Sequence, residues 1–272
     1  LVQSHGNHYT KLCPFANFGK PMIKNIKSAH IPNCLHGFFT NQHTNTSEYP
    51  LPLDFSYSTL QSPNTTKTNR RLAIKSLEEK KCKVFFINQV HSSKSLHIDT
   101  QSFQNPQTGD GIVTNKVGIG LAILTADCAP VLFFDPIARV IGAAHAGWRG
   151  ALNGILENTV DAMLEIGATK DNIITSIGPC ISQVNYEVDI PFKKKITKDH
   201  SLDGKFFFKK PNDKYLFDLS AYIEARLQNH GVKKISSIGI CTYEKRNNFH
   251  SFRRAKHLGE ASHQRNISII KL

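Results

Sequence analysis

The chain alternates between short apolar runs and stretches whose apolar positions recur every three or four residues. Leu35–Thr40 and Val84–Asn88 are β-branched and aromatic with polar flanks, which predicts strands. Between them Asn41–Asn69 is polar and carries Pro50, Pro52 and Pro63, the pattern of a long surface loop, and Lys67–Lys81 reads as a helix. From Gly109 onward four strand-like runs follow closely: Ile112–Thr114, Gly120–Thr125, Val131–Phe134 and Val140–Ala144. The period then changes. Leu152, Ile155, Leu156, Thr159, Met163 and Leu164 share one helix face, which Gly167 terminates. A strand is expected at Ile173–Ile177. A second helix at Leu219–Gln228, capped by Asp218 or Ser220 and stopped at Gly231, leads into a strand at Ile235–Ile240.

These last two helix–strand units echo each other: Ser176-Ile177-Gly178-Pro179-Cys180 resembles Ser237-Ile238-Gly239-Ile240-Cys241. Neither half looks self-sufficient, so the echo argues for strands that meet in one common layer. The 272 residues, 40% hydrophobic and 20% charged, are enough for a well-buried core and exclude a fibrous or disordered chain. The longest apolar stretch, Val117–Phe134, is broken by Thr125, Asp127 and Pro130, short of the ~20 apolar residues of a spanning helix. A membrane partner is therefore not expected.

Thirty-four Lys and Arg against 21 Asp and Glu give +13. That excess raises nucleic-acid binding, but only Lys193-Lys194-Lys195 and Lys209-Lys210 form compact runs and no zinc-finger or RNP pattern accompanies them. A solvated basic surface that attracts anionic substrates fits better. Six scattered cysteines without CxxC fit reduced thiols of a cytoplasmic protein better than a disulfide scaffold. Residues 1–21 lack the apolar core of a secretory signal and read as a leader or appended segment without order, leaving 22–272 as one catalytic domain.

Candidate chemistry concentrates in Asn88-Gln89-Val90-His91, Thr125-Ala126-Asp127-Cys128-Ala129-Pro130 and His145-Ala146-Gly147-Trp148-Arg149-Gly150, each starting where an apolar strand ends. Strand ends are where layered α and β proteins place their sites. His91, Cys128 and His145 are two imidazoles and a thiol, the three-ligand set of a catalytic zinc site with an open fourth position. The same residues also fit a Cys128 nucleophile with His145 or His91 as base and Asp127 or Gln89 orienting it. Trp148-Arg149 between glycines, at the start of a helix, makes an anion site for phosphate or carboxylate. In Phe249-His250-Ser251-Phe252-Arg253-Arg254 the paired arginines offer either a completed anion pocket or surface salt bridges, whereas Asn69-Arg70-Arg71 reads as helix-surface charge.

Taken together these motifs resemble the family variously called multicopper polyphenol oxidase (laccase) domain proteins, YfiH-like proteins and purine nucleoside phosphorylases. The resemblance runs from His36-Gly37-Phe38 through Gln89-Val90-His91, Gly109-Asp110-Gly111, Thr125–Val131, His145–Gly150, Ile177–Ile181, Cys241-Thr242 and Ser251–Arg254 to Ile269. It implies a layered α+β fold with mixed β-sheets flanked by helices, and zinc on His91, Cys128 and His145, with copper as the alternative ion. It also implies phosphorolysis of adenosine, inosine, guanosine and methylthioadenosine, and deamination of adenosine. Phosphorolysis needs a phosphate beside the ribose, for which Arg149 is the candidate, with Gln89 and Arg253 as further substrate contacts. The expected partners are purine nucleosides and phosphate, on a monomer.

This chain departs from the family at Asn41–Ser47, where an Arg-Gly-Gly-Val-Ser-like turn is usual, and at Arg253-Arg254-Ala255 and Gly259-Glu260. Three rival functions remain: copper-dependent phenol oxidation, hydrolytic editing of peptidoglycan precursors, and nucleic-acid binding. Two His and one Cys are too few for several copper centres, and the chain has only two Met to serve as axial ligands.

Overall fold

Along Ile119–Thr125, Ala129–Asp135 and Val140–Ala146 every residue but Leu124 is buried, whichever face it points to. Strands that are apolar on both faces must be covered on both faces, and that requirement sets the architecture. The structure, a computed structural model, describes residues 23–44, 52–57, 61–77, 82–105, 107–198 and 201–272. The first half holds β1 (Ile23–Ile26), β2 (Leu35–His43), α1 (Pro63–Leu77), β3 (Lys83–Phe86), β4 (Ser95–His97) and β5 (Gly111–Thr114). Then come β6 (Ile119–Thr125), β7 (Ala129–Asp135), β8 (Val140–Ala146), α2 (Trp148–Asn153), α3 (Ile155–Glu165) and β9 (Ile174–Ile177). The remainder is β10 (Glu187–Val188), α4 (Ile190–Thr197), β11 (Phe207–Lys209), β12 (Tyr215–Phe217), α5 (Leu219–Asn229), β13 (Lys234–Ser237), α6 (Phe252–Leu258) and β14 (Asn266–Lys271).

Two mixed sheets carry the fold: a five-stranded one ordered β1-β2-β14-β6-β3 and a six-stranded one ordered β13-β9-β7-β8-β5-β4. Alternation along the strands sorts the core into three slabs. Phe38, Leu121, Ile123, Leu132, Ile141 and Ala143 fill the space between the two sheets. Phe39, Ala122, Ile267 and Ile269 turn outward towards α1, and Val131, Phe133, Val140 and Ala144 turn towards the α2, α3 and α5 side. The result is a layered α+β architecture with mixed sheets, as the family resemblance implies. A third, small sheet, β10-β12-β11, packs with α4 around an aromatic cluster that includes Phe192, Phe207 and Phe217.

Several local expectations need correction. The stretch 41–69 is not one surface loop: β2 runs on to His43, Leu53 and Phe55 are buried core residues, and α1 already begins at Pro63. Proline is tolerated in the first helical turn, where its missing N–H has no helical partner. The helix expected at Lys67–Lys81 therefore begins one turn earlier, and residues 78–81 fall outside the described residues, as do the expected leader 1–21 and the divergent positions 45–47. The helix expected through Leu152–Leu164 is divided at Gly154, whose φ of +97 lets the chain turn between α2 and α3.

The echoed segments are neighbours. β9 and β13 pair in parallel, Ser176 with Ser236 and Ile177 with Ser237, one residue out of step with the sequence match. β13 ends at Ser237 rather than Ile240, the chain turns at Gly239 with φ +69, and Cys180 and Cys241 then bridge in the matched register.

Candidate metal centre

Strand register assembles the site. In the β7–β8 hairpin Pro130 pairs with His145 and Ala129 with Ala146, so Cys128, just before β7, lies beside the end of β8. β5 pairs with β8 through Gly111 and Ala144, and the His145 N–H donates to the Asp110 carbonyl at 2.7 Å. His91 arrives from the loop after β3. Three segments far apart in sequence thus place the side chains of His91, Cys128 and His145 with their donor atoms within 4.8 Å of one another. Cys128 Sγ is 3.9 Å from His91 Nε2, and the two imidazoles meet edge to face at 4.6 Å between centroids.

Asp110 organises this cluster. Its fully buried carboxylate accepts from the backbone N–H groups of Val90, His91 and Ser92, from Ser92 Oγ, and from His145 Nδ1 at 2.8 Å. The backbone contacts hold His91 at a φ of +60, a left-handed conformation uncommon for a side-chain-bearing residue. The bond to Nδ1 leaves His145 Nε2 as the nitrogen turned to the cluster, the carboxylate–histidine arrangement that orients metal ligands. Burial pushes the Asp110 carboxyl up, but the bonds from His145 and Ser92 outweigh that and hold it at about 2.

The electrostatics of the ligands are coupled. Burial pushes the Cys128 thiol up, yet the imidazoles of His145 and His91 reverse this and bring it to about 6. Burial likewise disfavours charge on His145, while Cys128 and Asp110 raise it to about 9. The two shifts together favour a thiolate beside an imidazolium, and a cation bound there would take the place of the imidazolium proton. Gly147 leaves room for the cluster: a Cβ there would lie 2.7 Å from Cys128 Sγ and 3.2 Å from His91 Cδ2. Two imidazoles and a thiolate around such a recess, open to a cavity on one side, fit a zinc ion with a free position.

That cavity encloses about 900 Å³ and is lined by His91, Cys128, His145, Arg149, Gln89 and Arg253 among others. Arg149, at the start of α2, lies with its guanidinium 4.8 Å from the Trp148 ring. Arg253, on α6, sits 5.4 Å from the Tyr186 ring and donates from Nη1 to the Glu187 carbonyl. Gln89 lines the wall with its amide closed onto Leu124, donating to the carbonyl at 2.7 Å and accepting from the N–H at 2.8 Å. Asp127, at a φ of +82, accepts from Thr242 Oγ1 and from the Arg253 N–H.

Other expectations move. Arg254 does not complete an anion pocket: its guanidinium donates to the carbonyls of Thr242, Tyr243 and Phe249 and ties the chain around α6. Of Asn69-Arg70-Arg71 only Arg71 is exposed, for Asn69 is buried on the Asp54 carbonyl and Arg70 lines the same cavity as the His91–Cys128–His145 cluster. Sequence reasoning missed the roles of Asp110, Tyr186, Arg70 and Arg265. For Asp110 a signal was present, a carboxylate between two glycines at the start of a buried strand. His36 is structural, its Nε2 accepting from the Ser28 N–H.

Comparisons with known proteins agree with this architecture. The family model described as multi-copper polyphenol oxidoreductase laccase matches residues 36–270. The purine nucleoside phosphorylase RC0672 of Rickettsia conorii is 38% identical over 188 residues, 69% of this chain and 77% of its own length. The purine nucleoside phosphorylase SCO2081 of Streptomyces coelicolor is 32% identical over 229 residues, 84% of this chain and 93% of its own. In fold, the crystal structure of YfiH from Bacillus licheniformis superposes with a TM-score of 0.80 at 24% identity, covering 94% of this chain and 98% of that one.

Proposed function

From the premise that this chain belongs to the multi-copper polyphenol oxidoreductase laccase family, we propose that it is a zinc-dependent purine nucleoside phosphorylase that also deaminates adenosine. The observation that carries the reading is the His91–Cys128–His145 donor set opening into a cavity lined by arginines and aromatic rings. The names of its relatives support purine nucleosides and phosphate as substrates. His91, Cys128 and His145 hold the ion, which supplies Lewis acidity when bound. Asp110 fixes the tautomer and direction of His145. Arg149 binds the attacking phosphate, with its charge set beside the cluster. Trp148 and Tyr186 offer ring faces to the purine, while Arg253 and Gln89 complete the substrate wall. A copper oxidase with several centres is disfavoured, since one His/Cys/Asp/Glu cluster of this kind occurs among the described residues.

The test is chromatography of products from adenosine plus phosphate, with zinc-loaded protein purified without chelator. Adenine or inosine is expected from the native chain and neither from Cys128→Ala, which also loses its zinc. Full activity in Cys128→Ala, or no product from the native chain, overturns the reading; the second result shifts weight to precursor editing.

A further inference from the structure

Two arginines that line this cavity, Arg70 and Arg265, have no part in the proposal above. Arg70 on α1 donates from Nε to the Phe55 carbonyl at 2.8 Å, and its guanidinium lies 4.1 Å from the Phe86 ring centre and 4.5 Å from that of Tyr57. Arg265, ahead of β14, is anchored from Nη1 to the carbonyls of Ser262 and Gln264. One short segment steadies both residues: the Phe55 carbonyl accepts from Arg70, and the Phe55 N–H donates to the Arg265 carbonyl.

Neither guanidinium forms an ion pair among the described residues, although Arg226, also largely buried, is matched by Glu157 at 2.7 Å. The adjacent carboxylate, Asp54, is buried, and its Oδ1 accepts from the N–H and Oγ of Ser56 and from the Arg265 N–H. Nη1 and Nη2 of Arg70 and Nε and Nη2 of Arg265 therefore keep donors unused by the described residues. Burial lowers the pKa of both guanidiniums from the ordinary arginine value despite the nearby Asp54 carboxylate, and for Arg265 despite Cys128 and Asp127 as well; a bound anion offsets what remains of that cost.

The two stand on the five-stranded-sheet side. Arg70 lies over Phe86 of β3, and Arg265 precedes Asn266, which pairs with Thr125 at the end of β6. Arg149, by contrast, follows β8 of the six-stranded sheet. A cavity of about 900 Å³ is near the top of the ~300–1,000 Å³ range of small-molecule sites, large for a free nucleoside and one phosphate.

We propose that Arg70 and Arg265 form a second anion subsite that holds a phosphate ester of the substrate, making a purine nucleoside 5′-monophosphate the preferred substrate. This deepens the phosphorolysis reading and rests on it. An oxygen of hydrogen phosphate bonds to C1′, the C1′–N9 bond breaks with its electron pair going to the purine, and the phosphate's proton ends on that nitrogen. The products are free base and ribose 1,5-bisphosphate.

The experiment compares adenosine, adenosine 5′-monophosphate and inorganic phosphate on the full chain, by calorimetric binding and by product chromatography. The monophosphate is expected to bind at least tenfold more tightly than adenosine, and Arg70→Met and Arg265→Met each to remove most of that difference. A melting curve establishes that each variant folds; should Arg70→Met fail, Arg70→Lys and Arg265→Met carry the comparison. Equal affinity for adenosine and its monophosphate overturns the subsite. So does a tenfold loss of inorganic-phosphate binding with monophosphate binding intact, because the pair would then serve the attacking phosphate. Tight, Arg70-dependent monophosphate binding without conversion of either compound leaves the subsite standing and sinks phosphorolysis. Conversion of adenosine with no preference for the monophosphate does the reverse.

Discussion

At the scale of single residues, Asp110 gathers more of the site's hydrogen bonds than His91, Cys128 or His145. Five donors converge on its carboxylate, three from backbone, one from Ser92 and one from His145. Asp110→Asn preserves shape but turns an amide NH₂ towards N–H groups, so some donors lose their acceptor. Zinc affinity is expected to fall 10–100-fold, the usual effect of removing a ligand's supporting partner, measured by competition with a chromophoric chelator. Unchanged affinity would show that the Asp110–His145 bond plays no part in holding the metal. Arg149 makes a separable prediction. Arg149→Ala should raise the KM for phosphate about tenfold, the worth of one charge-assisted hydrogen bond, and leave zinc content at the native level.

At the scale of elements, the site depends on how closely the β8–α2 turn approaches the β6–β7 turn. Gly147 sits at that approach, where a methyl group would meet Cys128 Sγ and the His91 ring. Its own φ of −74 is open to any residue, so space rather than backbone conformation demands glycine. Gly147→Ala should therefore leave the far-ultraviolet circular dichroism unchanged and sharply reduce zinc binding and turnover; native zinc content in that variant would contradict the packing argument. α6 is secured in a similar local way. Ser251 caps it by accepting from the Arg254 N–H, and Asp127 accepts the next orphan N–H, that of Arg253, which ties the helix to the segment carrying Cys128.

At the scale of the whole molecule, acid should loosen the fold through two buried histidines. Burial pulls His36 and His250 below the ordinary imidazole value; the Ser28 N–H that His36 Nε2 accepts also favours the neutral ring, while on His250 burial outweighs the Leu53 carbonyl, which favours the charged one. Between their lowered native values and the unfolded value of about 6.5, the unfolded chain binds more protons. Their contribution to stability is thus whole above that unfolded value and is lost as pH falls through the window beneath it. Urea unfolding midpoints should drop from pH 7.5 to 5.5, and the His36→Gln, His250→Gln double variant should flatten that slope. The net charge of +13 belongs to this scale as well: Arg70, Arg149, Arg253 and Arg265 face one cavity, which concentrates positive potential where the proposed anions would bind.

Much of this was legible in the chain itself, for a physical reason. Alternation and strand composition are local, so the strands around Ile112, Leu121, Val131 and Val140 and the helix after Asp218 stand close to where their patterns place them. The candidate donor set was readable because strand ends announce themselves as the end of an apolar run: Cys128 lies between β6 and β7 and His145 near the end of β8, while His91 sits in the loop beyond β3. Tertiary structure decided what depends on distant neighbours. The polar helix face bearing Arg70 looks solvated until Phe86 and Tyr57, from other segments, enclose it. Leu53 and Phe55 look like loop residues until α1 and the five-stranded sheet close over them. Asp110 becomes the keystone of the site only when β5 pairs beside β8, because the direction of a hydrogen bond across a sheet is set by register, and register is a property of the assembled fold.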